Sequence, residues 1–135
     1  MRRTEARELL MQLLFQMEAQ NDFSRQAKDS FAEFYLDNSS QVPYFNKIFD
    51  AFFDNRVAID NKINETSSNW STSRMAKVDL AVIRLCITEM LFVTEEDIPI
   101  AAAINEAVVI AKKFGGEESG KFVNGVLGKV ALNNG

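Results

Sequence analysis

Residues 98–130 read IPIAAAINEAVVIAKKFGGEESGKFVNGVLGKV, and this stretch predicts two helices separated by a pair of glycines. The first, over about residues 100–114, is rich in alanines, which let a neighbouring helix pack closely. Gly115 and Gly116 end it in the manner of a left-handed C-cap. The second begins near Ser119 and repeats apolar residues at the three-and-four spacing of a buried face: Phe122, Val123, Val126, Leu127 and Val130. The stretch therefore indicates a helical hairpin.

Three glycines lie in or beside the second of these helices, at 120, 125 and 128. Each interior glycine costs about 1 kcal/mol relative to alanine. Lys121, Gly125 and Gly128 fall at i, i+4 and i+7, on the side opposite the apolar stripe. One interpretation is that another element of the chain crosses closely there, and the residues favour it. The other is that a partner is admitted beside Lys121.

The N-terminal part of the chain predicts three helices, over about residues 4–19, 24–36 and 43–65. Pro43 is favoured in the first turn of the third helix. We expect their inward side chains to be Leu9, Leu10, Leu13, Leu14 and Met17, then Ala27, Phe31, Phe34 and Tyr35, then Phe45, Ile48, Phe49, Phe52 and Ile59.

A polar stretch over residues 64–73 is typical of a connection between helical units, with Trp70 plugging the junction. A further helix over residues 77–93 follows, with Val78, Ala81, Val82, Leu85, Ile87 and Leu91 inward. Asp97 and the two residues after it introduce the next helix. We predict one all-α domain over residues 1–135, with halves 1–66 and 67–135. Its architecture is two three-helix bundles packed side by side, with about seven helices.

Composition is that of an ordinary soluble protein, with 135 residues, 47% hydrophobic and 25% charged. No apolar run reaches the roughly 20 residues that span a bilayer, so we expect a cytoplasmic protein without a membrane partner. The single cysteine, Cys86, lies in an apolar run and is expected to be buried. Histidine is absent, which removes the usual general base and the commonest metal ligand. We expect no enzyme, cofactor or metal, and assign the acids at 95–97 to a solvated turn.

The net charge of −4 argues against nucleic acid, but only local charge meets a phosphate. Basic residues concentrate at Arg2, Arg3 and Arg7 and at residues 112, 113 and 121. Arg7, Met11 and Phe15 form a stripe off the leucine face of the first helix. Arginines beside an aromatic suit single-stranded RNA. A solvated helix end with a core phenylalanine is the alternative, and composition alone favours it.

Three stretches together resemble the NusB family of bacterial transcription antitermination factors. They are RRTEARELLMQLLFQ at residues 2–16, NWSTSRMAKVDLAVIRLCITEML at 69–91, and the stretch at 98–130 quoted above. The pattern AINEAV.IAK.FG...S.KFVNGVL is more specific than helix periodicity generates. The resemblance covers most of the chain, and only about residues 21–64 are generic. It implies the family fold of two three-helix bundles with an added helix.

The resemblance also implies an RNA-binding adaptor. Proteins of this family bind the boxA element of ribosomal RNA leader transcripts together with NusE, a small-subunit ribosomal protein, and help RNA polymerase read through terminators. Matched residue by residue, it assigns RNA binding to Arg2, Arg3, Arg7, Phe15, Phe114, Glu118, Lys121 and Phe122. Arginine and lysine would neutralise phosphates, and the rings would stack on splayed bases. Phe122 also borders the core stripe, which is an alternative role for it.

This chain departs from the family pattern in two places. Thr4 and Glu5 interrupt the basic run, so binding to RNA is expected to need the protein partner, and Glu118 stands where some relatives have aspartate. We place that partner near Asp79 and the start of the fifth helical segment. The alternatives are a fragment related to the N-terminal unit of rRNA cytosine methyltransferases, without its catalytic domain, and a helical interaction module without an RNA role. A homodimer through the first helices would bury the arginine stripe and block RNA.

Overall fold

A computed structural model of the chain describes residues 1–36, 39–66, 71–93 and 98–134. This described part is helical throughout and contains no strand, which confirms the predicted fold class. Its seven α-helices are α1 (Arg3–Gln20), α2 (Arg25–Tyr35), α3 (Val42–Asp54), α4 (Arg56–Thr66), α5 (Lys77–Ile87), α6 (Ile100–Gly115) and α7 (Glu117–Asn134). A short 3-10 turn, Thr72–Arg74, precedes α5, and a π-helical turn, Thr88–Phe92, continues it.

The helices form two groups of three with one helix added between them. Helix α1 packs against α2 and α3, while α5, α6 and α7 pack against one another. The added helix is α4, which contacts α3, α5 and α7, and α1 also packs along α5. One hydrophobic core runs through both groups, because buried side chains from every α-helix belong to it. The division of the chain near residue 66 stays a prediction.

Helix α5 lies at the centre, with all nine residues 79–87 buried. Apart from Asp79 and Arg84 these residues are apolar on every side of the helix, as expected of a helix enclosed by others. Cys86 is one of these buried residues, as predicted. At the end of α5 the Thr88 hydroxyl donates to the carbonyl of Arg84 at 2.7 Å, so a buried hydroxyl is satisfied where the helix widens into the π turn.

The single helix predicted over residues 43–65 is wrong, because two helices, α3 and α4, occupy this range. The break falls at Asn55, whose backbone leaves the helical region (φ −122°, ψ 19°). Its side-chain amide donates to the Ala51 carbonyl at 2.8 Å, which satisfies an acceptor at the end of α3. Asparagine competes with the helix in this way, so it favours ends over interiors.

Other expectations also need correction. Phe34 and Tyr35 were predicted to be inward, but they are 77% and 47% exposed, and α2 instead packs on the core through Phe31 and Ala27. Leu9, predicted to be inward, is half-buried. Of the helix predicted over residues 77–93, α5 covers the part up to Ile87 and the π turn covers Thr88–Phe92. Helix α7 begins at Glu117 instead of near Ser119. Trp70 and Asp97, to which roles were given, lie outside the described residues. No described helix combines the length and hydropathy that crossing a bilayer requires.

The glycines of the hairpin have three different settings. Helix α6 ends at Gly115, as predicted, but Gly116 has φ +93° and ψ −178°, so its positive φ requires glycine without being the left-handed helical cap that was predicted. Gly120 is buried at the α6–α7 contact, where an added Cβ would lie 2.6 Å from Cγ of Lys112. At Gly125 and Gly128 an added Cβ would meet nothing within 4 Å. The favoured interpretation, that another element crosses closely at these two positions, is therefore wrong.

We expect Gly125→Ala to raise the free energy of unfolding by about 0.5–1 kcal/mol, since alanine is the better helix former and its methyl group has room. The melting temperature should rise by about 2–4 °C in thermal unfolding followed by circular dichroism. Gly116→Ala is the control and should lower it, because a side chain at positive φ costs roughly 1–2 kcal/mol. A fall for Gly125→Ala would contradict the open setting.

Candidate nucleic-acid interface

Arg2 and Arg3 lie at the start of α1 and differ in how they are held. The Arg2 side chain is 84% exposed and contacts Glu5 at 3.3 Å, while Glu5 also accepts from the Arg2 backbone N–H. Arg3 is half-buried: its guanidinium carbon lies 4.0 Å from the centre of the Tyr44 ring, and its Nε donates to Gln41 at 3.0 Å. Arg3 is therefore oriented by the start of α3, and Arg2 reaches into solvent.

Arg7 does not belong to the exposed stripe that the sequence predicts. Its side chain is only 11% exposed, and its Nε donates to both oxygens of Glu89 at 3.1 and 3.2 Å. Burial alone would lower the pKa of Arg7, but the Glu89 carboxylate outweighs it and raises this pKa above its ordinary value. Met11, placed on the same stripe, is 2% exposed. As placed, Arg7 joins α1 to the π turn, and its predicted contact with RNA stays a prediction.

A surface ion pair brings the end of α6 against α1. The Lys113 ammonium donates to both carboxylate oxygens of Glu8 at 2.9 Å. Glu8 lies one turn after the arginines, and Lys113 directly precedes Phe114. The structure therefore joins the first half of α1 to the end of α6 through this pair, next to Phe114.

Two of the three predicted rings are partly open to solvent, and the third is half-buried. Phe15 is 38% exposed and Phe114 is 37% exposed, which leaves part of each ring available for a stacked base. The ammonium of Lys113 lies 5.4 Å from the centre of the Phe114 ring. Phe122 is half-buried and packs against the core, in line with the alternative role given to it.

The turn after α6 carries exposed charges of both signs. The Glu118 side chain is 91% exposed and the Lys121 side chain 74% exposed, and they contact each other at 3.6 Å. Lys112 contacts Glu117 at 3.9 Å. Pairs as exposed as these contribute little to stability, so each lysine is available to exchange its carboxylate for a phosphate.

Asp79, near which the protein partner was placed, is itself 8% exposed. It lies in the first turn of α5, and its Oδ1 has no hydrogen-bond partner among the described residues. Burial raises its pKa above the ordinary value, and the Ser119 hydroxyl offsets this in part. A role for Asp79 in partner binding stays a prediction.

Sequence reasoning missed the partners that organise this surface. Glu89 and Glu8 were not singled out, because their partners lie 82 and 105 residues away and no local spacing reveals them. Glu89 did carry a signal, since an acid in an apolar run needs a buried counter-charge. In the described part of the chain, no three acidic or thiol side chains come together as a metal site would need.

Comparison with known proteins defines the family. The model of the NusB family matches residues 4–132, and the chain belongs to this family. Relatives called transcription antitermination protein NusB include one from Acetivibrio thermocellus, 43% identical over 96% of this chain and 88% of its own length, and one from Agathobacter rectalis, 41% identical over 97% and 100%.

Solved structures agree with the fold. NusB of T. maritima is 35% identical and superposes with a TM-score of 0.85, over 98% of this chain and 92% of its own. A structure of the antitermination factors NusB and NusE in complex with double-stranded RNA superposes with a TM-score of 0.84, over 97% and 96%, at 23% identity. At that identity the likeness shows the fold alone.

We expect Arg7→Ala to lower the free energy of unfolding by about 3 kcal/mol, because it leaves the Glu89 carboxylate buried without a counter-charge. Thermal unfolding should show a melting temperature lower by roughly 10 °C. Arg2→Ala, at an exposed position on the same helix, is the control and should change it by no more than about 2 °C. Equal small shifts for both variants would show that Arg7 is not structural.

We expect Asp79→Asn to stabilise the protein at pH 7. Because the pKa of Asp79 is raised in the folded state, its stabilising effect is full only below its ordinary pKa and is lost as the pH rises through the folded value. Asparagine removes this loss with nearly the same shape. The difference in melting temperature between variant and parent should therefore be positive at pH 7 and shrink towards pH 3. A difference independent of pH would contradict the assignment.

Proposed function

We propose that this protein is an RNA-binding transcription antitermination factor without catalytic activity. It binds boxA RNA of ribosomal RNA leader transcripts together with the ribosomal protein NusE, and the complex modifies RNA polymerase so that it reads through terminators. Membership of the NusB family supports this proposal. The observation that supports it most directly is the Glu8–Lys113 pair, which joins α1 to the end of α6 at the residue before Phe114.

The proposed contacts divide the work between charge and stacking. Arg2 and Arg3 neutralise phosphates, and the stacking of Arg3 on Tyr44 fixes its guanidinium before RNA arrives, which reduces the ordering cost on binding. Phe15 and Phe114 offer their exposed faces to unpaired bases. Lys121 adds a phosphate contact and Glu118 accepts from a base amino group. Arg7 and Phe122 act through the fold, by holding α1 and α7 in place.

A protein partner is part of the proposal because the chain alone has few free cations for RNA. Its net charge is −4. The proposed strip consists of the predicted RNA-binding residues on α1, at the end of α6 and at the start of α7, and four basic residues in or next to it each contact a carboxylate: Arg2 with Glu5, Lys113 with Glu8, Lys112 with Glu117 and Lys121 with Glu118. So few phosphate contacts release few counterions, and the electrostatic part of the affinity for RNA is therefore small. The structure of NusB with NusE and double-stranded RNA has the same fold, and we extend its partners to this chain as a proposal.

The test is a titration of a labelled boxA-like single-stranded RNA by fluorescence anisotropy, with and without NusE, at two salt concentrations. We expect Arg3→Ala to weaken binding and to flatten the plot of log K against log salt by about 0.7, the value of one phosphate contact on a single strand. Phe114→Ala should weaken binding at both salt concentrations by roughly 1–3 kcal/mol, the worth of one stacked base.

Phe34→Ala is the matched control, because this ring is 77% exposed on α2, away from the proposed strip. It should bind RNA as the parent does. Circular dichroism must show unchanged helicity for each variant, since a loss in Phe114→Ala would return that ring to a structural role. Sedimentation at the titration concentrations is the control for oligomeric state, and a monomer would exclude a homodimer that hides the arginines. A parent protein that binds no RNA, even with NusE, would overturn the proposal in favour of a helical interaction module.

A further inference from the structure

A groove of about 490 Å³ runs between α6 and α7. Its apolar floor includes Ile104 and Val108, and an amide stands on each wall, Asn105 on α6 and Asn124 on α7. Its remaining lining is Ala101, Lys112, Gly120 and Lys121. Both asparagines are exposed, so their donors and acceptors are open to a ligand.

The charge of the groove favours an anionic occupant. Lys112 and Lys121 line it, while the described part of its lining holds no acid. The carboxylates that these lysines contact, Glu117 and Glu118, lie at the start of α7, at 3.9 and 3.6 Å. These long, exposed contacts are weak, so an incoming phosphate can replace them.

The dimensions of the groove favour a small group over a protein surface. Its volume lies in the range of pockets that hold single small ligands, about 300–1,000 Å³, whereas a stable protein interface needs a far larger contact. Gly120 has no side chain to fill the groove from α7. Gly125 and Gly128 lie on the same face of α7 as Lys121, and the space above them is open. A polynucleotide backbone can therefore lie close to the helix.

We propose that this groove holds one unpaired nucleotide of the bound RNA. The base lies on Ile104 and Val108, Asn105 and Asn124 bind its polar edge, and Lys112 and Lys121 neutralise the adjoining phosphate. The inference rests on the proposed function and extends it, because Lys121 belongs both to this groove and to the strip that begins at α1. It makes the two amides specificity-determining contacts.

The test replaces each amide by a carboxylate of the same shape. Asn105→Asp and Asn124→Asp each remove an amide donor from the base edge and add a negative charge to a groove that holds an anionic nucleotide. Affinity for the boxA-like RNA should fall about three- to fivefold for each at low salt, and less at high salt. Asn61→Asp is the matched control, since it makes the same change at an exposed helical position on α4, in a different concavity. It should bind as the parent does.

The outcomes separate this inference from the proposed function. If the parent binds the RNA and both groove variants bind equally well, the nucleotide site is overturned while the RNA-binding function stands. If those variants keep RNA affinity but lose affinity for NusE alone, the groove is a protein contact and the inference also fails. A parent that binds no RNA overturns both. Equal melting temperatures of parent and variants show that any loss is local.

Discussion

Two ion pairs fix α1 along α5: in one α1 supplies the cation, and in the other it supplies the anion. The proposed interface depends on these two pairs. Near its start, α1 supplies the cation, Arg7, to Glu89 beyond the end of α5. Near its end, α1 supplies the anion, Glu18, to Arg84, which also binds Asp60 of α4 through two hydrogen bonds of 2.9 and 2.8 Å. Reversing or sliding α1 would bring Arg7 towards Arg84, and a buried like-charge contact is strongly unfavourable.

With α1 fixed in this way, a few charged side chains are enough to form the candidate interface. Once the start of α1 is fixed, Arg3 rests on Tyr44, and Glu8 meets Lys113 at the end of α6. Burial of the Tyr44 hydroxyl, near the Glu89 carboxylate, raises its pKa, so the ring under Arg3 stays neutral. An acidic chain thus presents a few basic side chains whose positions are set by the core, and this fixed placement compensates for their small number.

The sequence allowed the helical architecture to be predicted because its information is local. Apolar spacing located α1, α2 and α6, and the Gly-Gly pair located the end of α6. The break at Asn55 was missed because the apolar repeat continues across it, while a single side chain ends the helix. Phe34 and Tyr35 were wrongly predicted for a different reason: an aromatic residue at helical spacing predicts burial, but no element in the described part of the chain covers these two rings.

The candidate site could be predicted only in part. The local cluster of basic residues pointed to Arg2 and Arg3, and the family resemblance pointed to Phe114; the structure leaves Arg2 and Phe114 exposed and Arg3 half-buried. Exposure could not be predicted for Arg7 and Asp79, because it depends on contacts between helices far apart in the chain. The groove between α6 and α7 could not be predicted either, since its lining alternates along both helices and its shape arises only when they pack.

Cys86 has a practical consequence for experiments on this protein. The thiol is 3% exposed in the centre of the molecule, and burial raises its pKa, so very little reactive thiolate reaches solvent. A maleimide dye would therefore discriminate against the native sulfur and attach to a cysteine introduced on the surface. Site-specific fluorophores for distance measurements can thus be installed on the folded chain without first removing its own cysteine.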